Sequence, residues 1–73
     1  MITQDSIKFA RNALRSSVKV YATSPSLSDH AMLIDQISPA GLKGRCHVRI
    51  VENHRTILLP KRSTLHTQSG LNF

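Results

Sequence analysis

Between residues 45 and 50 the chain alternates without a break: Arg45, His47 and Arg49 take turns with Cys46, Val48 and Ile50. Successive strand side chains point to opposite faces, so this pattern describes a strand with one face in a core and the other in water. A helix would scatter both residue classes around its circumference. The spacing predicts a strand over 45–51, a polar reversal at Glu52-Asn53-His54-Arg55, and a returning arm over Thr56 to Leu59. Pro60 ends that arm, because it has no N–H to give the ladder.

The N-terminal segment has a different period. Over 4–16, Ile7, Phe9, Ala10, Ala13 and Leu14 fall on one broad face at helical spacing, and Lys8, Arg11 and Arg15 on the other. Thr3 or Asp5 is placed to cap this helix, and Asp5 suits its positive end. Val18 and Val20 around Lys19 return to a period of two and predict a strand over 17–23. Thr23 to Asp29 is a loop built on Pro25 and its hydroxyl-rich flanks. Ala31 to Ile37 reads as a further strand, Ser38-Pro39-Ala40-Gly41 as a turn, and Lys43-Gly44 as a basic lead into the next strand. The polar stretch 63–73 reads as a frayed tail.

These elements predict an α+β domain: an N-terminal helix plus a small three- or four-stranded antiparallel sheet and a frayed C-terminal tail. The chain divides into a basic amphipathic helix (4–16), a β-rich core (17–62) and a flexible tail (63–73). The expected core is Leu14, Val18, Val20, Met32, Ile34, Ile37, Val48, Ile50, Ile57 and Leu59.

Size limits what such a domain does. A chain of 73 residues makes one domain. It hides only about 60% of its unfolded surface, which leaves no depth for an enclosed substrate pocket. An enzyme is therefore not expected. The acids Asp5, Asp29, Asp35 and Glu52 are dispersed, whereas carboxylate catalysis usually needs a pair in one pocket. Cys46 and His47 are neighbours on a strand and point to opposite faces, which disfavours both a metal site and a thiol–imidazole pair. No cofactor and no metal are expected. A lone cysteine forms no internal disulfide and fits a reducing cytoplasm. The longest apolar runs, Ala31 to Ile34 and Ile57 to Leu59, fall far short of the ~20 residues of a membrane span. Met1-Ile2-Thr3-Gln4-Asp5 does not read as a signal peptide.

The charge is the feature with functional weight. Ten Lys and Arg against four Asp and Glu leave +6, which favours an anionic partner. Lys43, Arg45, Arg49, Arg55, Lys61 and Arg62 crowd the hairpin and its flanks and are expected to form one cationic patch. The helix stripe Lys8, Arg11 and Arg15 is expected to extend it. Arginine forks suit phosphate and carboxylate. The aromatics are Phe9, Tyr21 and Phe73, all outside the hairpin, which argues against a base-stacking sheet.

Three resemblances add expectations. Arg11-x-x-x-Arg15, followed by Gln36-x-Ser38-x-x-Gly41, resembles the PilZ domains that bind cyclic-di-GMP, with Gln36 standing where that family has Asp or Asn. Gly44-x-Cys46-His47, Pro60 and Gln68-Ser69-Gly70-Leu71 resemble the HicA-type ribonuclease toxins, with Cys46 where the family's catalytic histidine falls. The length, basic balance, helix-then-hairpin order and lone cysteine are similar to the small bacteriophage-encoded regulators, of Xanthomonas phage type, that bind host RNA polymerase. That last resemblance implies a cytoplasmic transcription regulator that inhibits initiation or acts as an antiterminator. Its partner would be bacterial RNA polymerase, with RNA or DNA nearby and no membrane, and its oligomeric state stays open. The alternative is direct binding of nucleic acid through phosphates.

Overall fold

The computed structural model describes residues 2–41 and 45–68. One helix, α1 (Gln4–Arg15), precedes five strands: β1 (Val20–Thr23), β2 (Met32–Pro39), β3 (Cys46–Ile50), β4 (Arg55–Leu58) and β5 (Thr64–Thr67). The strands form one antiparallel sheet in the order β4-β3-β2-β1-β5. The α+β class matches the sequence, with five strands instead of three or four.

Helix α1 starts where its chemistry says it should. Thr3 is the N-cap, and its hydroxyl accepts the Ser6 amide at 3.1 Å. Ile2 before the cap and Ile7 after it are both buried in the same cluster, the arrangement of a hydrophobic staple. Asp5 lies in the first turn and Arg15 in the last, complementing the helix dipole. The buried face centres on Ser6, Ile7 and Ala10. Phe9, expected on that face, is 57% exposed at its rim.

The expected strand over 17–23 begins only at Val20. The reason is the helix end. Ser16 is the C-cap and Ser17 turns left-handed at φ 61°. Val18 donates to the Ala13 carbonyl at 2.9 Å and Ser17 to the Leu14 carbonyl at 3.1 Å. This pair of bonds is a Schellman closure. It consumes residues 16–18, and Val18, expected in the core, is 42% exposed.

The main correction concerns the tail. Residues 64–67 are not frayed: they form β5, which pairs with β1 through Val20↔Thr67, Tyr21↔His66, Ala22↔Leu65 and Thr23↔Thr64. Leu65 is buried and supplies the apolar anchor that the polar composition concealed. The turn before it is held by Ser63, whose hydroxyl donates to the Pro60 carbonyl at 2.6 Å, with Arg62 left-handed at φ 70°. Residues 69–73 lie outside the described residues, as does Lys43.

Smaller boundary shifts follow from local pairing. Strand β2 runs on through Pro39, which pairs with Cys46, so the left-handed position of the turn falls at Gly41 (φ 78°). The β3–β4 reversal comprises residues 51–54, with His54 left-handed at φ 57°. Arg55, expected in the reversal, opens β4 opposite Ile50.

The core gathers Ile2, Ile7 and Ala10 with Val20, Ala22, Ile34, Ile37, Cys46, Val48, Leu59 and Leu65. Leu14, Met32 and Ile57 pack against it half-buried. Helix α1 thus covers one face of the sheet, chiefly over β2, and the opposite face stays open. Among the described residues no helix is long and apolar enough to cross a membrane.

Candidate nucleic-acid interface

Strand alternation decides what the open face carries. On β3, Cys46, Val48 and Ile50 are buried, so His47 and Arg49 project from the other side, and Arg45 continues their alternation one residue before the strand. On β1, Tyr21 lies between buried Val20 and Ala22. On β5, His66 lies between buried Leu65 and Thr67. All five side chains therefore belong to the sheet face opposite the helix.

Tyr21 and His66 face each other across the β1–β5 ladder. Their rings are stacked, with centroids 5.8 Å apart and planes within 15°. His66 Nδ1 lies 3.1 Å from the Thr67 carbonyl oxygen, an acceptor, so Nδ1 carries the proton. Nε2 then accepts from the Thr23 hydroxyl at 2.8 Å. Both ring nitrogens are occupied, which fixes the imidazole against the tyrosine. This two-ring platform is what the sequence reading missed. Its members come from strands that meet only in the folded sheet, and a histidine is not counted among the aromatics.

Arg49 on β3 and Arg45 just before it are less available than their exposure pattern suggests. Arg49 donates through Nε to Asp35 Oδ1 at 2.9 Å and through a terminal nitrogen to Oδ2, a two-pronged ion pair. The contact depends on a β-bulge. The register slips between Ile34 and Gln36, so Asp35 and Gln36 both lie opposite Arg49. The Arg49 hydrogen bond holds the Asp35 carboxyl below its ordinary value, and Asp35 in turn raises Arg49. Arg45 donates through Nε to the Leu59 carbonyl at 3.0 Å, tying the start of β3 to the chain beyond β4.

The expected single cationic patch is divided. Arg11 and Arg15 of α1 meet β2 and β3 at a shallow concavity of about 270 Å³, bordered also by Gln36, Ser38, His47 and Arg49. Arg11, Arg15 and Lys8 border a second concavity, about 460 Å³, along the helix flank. Arg55, Lys61 and Arg62 are exposed and border neither of these two. The Arg11, Arg15, Gln36 and Ser38 positions of the PilZ-like pattern thus share one concavity, and Gly41 is not part of its lining.

Cys46 is fully buried, and burial pushes its thiol up to about 11, which keeps it protonated and unreactive. Among the described residues no three His, Cys, Asp or Glu side chains gather as a metal-binding group. Compared with family models, with curated proteins and with solved structures, the chain matches none.

Proposed function

We propose that this protein is a non-enzymatic, cytoplasmic binding module that takes single-stranded nucleic acid across the open face of its sheet. The observation that carries the reading is the Tyr21–His66 stack on the face that also bears Arg45, His47 and Arg49. A single strand needs flat surfaces for unstacked bases and cations for phosphates, and this face offers both. Two strand spacings, about 10 Å, separate the platform on β1 from the cations on β3. The net charge of +6 supplies long-range attraction.

The test is fluorescence anisotropy with a short labelled single-stranded RNA across a range of KCl. Binding whose log affinity falls linearly with log salt is the expected result. No binding at the lowest salt removes the reading.

A second reading rests on the concavity shared by Arg11, Arg15, Gln36 and Ser38. It supports a PilZ-like site for a cyclic dinucleotide. Calorimetric titration with cyclic-di-GMP, on wild type and Arg11→Ala, decides it. RNA polymerase remains the partner proposed from the whole-chain resemblance. Nuclease-resistant recovery of its subunits in a tagged pull-down would shift the function from nucleic acid to transcription complex.

A further inference from the structure

We propose that Asp35 is a built-in phosphate mimic: it holds Arg49 in the unliganded protein and gives it up to a backbone phosphate when a strand is bound. The proposal rests on the nucleic-acid reading above and adds a gate to it.

The geometry begins with the bulge. Ile34 and Ile37 are both buried, yet a regular strand returns to the same face every second residue. The slip between Ile34 and Gln36 inserts the extra residue that reconciles them. As a result β2 presents Asp35 beside Gln36 on the open face, opposite Arg49. The carboxylate engages two nitrogens of the guanidinium, the same fork that two phosphate oxygens take.

Two features make this pair exchangeable. The two side chains are 37% and 36% exposed, so an incoming anion reaches them and the mutual attraction is weak in water. The pair is the one Lys/Arg–carboxylate bridge among the described residues. Released from Asp35, Arg49 adds one cation to the face without a change of fold. Anions that bring only one weak contact do not displace the carboxylate. A strand that places several phosphates across the face does.

The experiment compares wild type, Asp35→Asn, Arg49→Gln and the double variant, binding a labelled single-stranded RNA across a KCl series. Asp29→Asn serves as a control that removes an equal charge from an exposed loop. Asp35→Asn is expected to tighten binding about threefold to tenfold, the worth of one ordinary solvent-exposed hydrogen bond or ion pair, and to steepen the log–log salt slope by about 0.7. Asp29→Asn is expected to do neither, and Asp35→Asn in the Arg49→Gln background is expected to have no effect. Circular dichroism establishes that each variant is folded. If wild type binds and folded Asp35→Asn binds no tighter than Asp29→Asn, the gate is overturned while the nucleic-acid reading stands. If neither wild type nor Asp35→Asn binds at low salt, both fall.

Discussion

The amide of Val18 donates to the carbonyl of Ala13 at 2.9 Å, and closing that loop requires Ser17 to sit left-handed at φ 61°. A side chain at such a position strains against its own backbone, and glycine does not. Ser17→Gly is therefore expected to stabilise the protein by about 1 kcal/mol. Urea unfolding followed by circular dichroism measures it, and an unchanged or lower midpoint contradicts the account of the helix end.

Cys46 reports on opening of the core. With its thiol buried and raised to about 11, it should resist a soluble thiol reagent at neutral pH and react fully in urea. Because folding favours the protonated thiol, its contribution is complete below the ordinary value of 9.0 and is lost as pH rises through about 11. Fast labelling of native protein would place the thiol at the surface.

The Asp35–Arg49 pair gives an acid-side signature. The folded state holds the Asp35 proton less tightly than the unfolded chain. Its stabilisation is therefore present above the ordinary carboxylate value of 3.8 and fades as pH falls through the lower folded value. Thermal unfolding from about pH 6 to about pH 2 should show a smaller drop for Asp35→Asn than for wild type. Parallel curves would mean that the pair contributes nothing.

Removal of the platform separates stacking from charge. Tyr21→Ala should weaken binding of single-stranded RNA by about 1–3 kcal/mol. The salt slope should stay the same, since no cation is lost. Arg45→Gln should instead flatten the slope. A Tyr21→Ala variant that is folded and binds like wild type takes the platform out of the interface.

Leu65 tests the last strand. Its side chain is buried on β5, so Leu65→Ala should cost about 2–5 kcal/mol and leave a chain of this size largely unfolded. A tail that merely frays would tolerate the change, and the melting temperature discriminates the two.

What the sequence reveals here is set by distance along the chain. Helix α1 and the two-faced β3 announce themselves because their periods are complete within a few neighbouring residues. The lateral position of Arg45, His47 and Arg49 follows from the same local alternation. The Asp35–Arg49 pair spans 14 residues and needs a bulge, which no periodicity encodes. Thr23 and His66 are 43 residues apart and meet only because β5 returns to β1. Strand β5 itself was hidden by composition: Thr64, His66 and Thr67 are polar, and only Leu65 shows an apolar anchor. Ser17 concealed the helix stop in a similar way, since glycine usually marks that position.

The sheet order has a consequence for how the molecule is made. Of the five described strands β1 leaves the ribosome first, and it is flanked by β2 and by the last of them, β5. One side of β1 therefore stays without its ladder until β5 has been synthesised. Completion of the sheet waits for β5. The stacked rings and the face they serve thus come into being in the same moment as the fold itself.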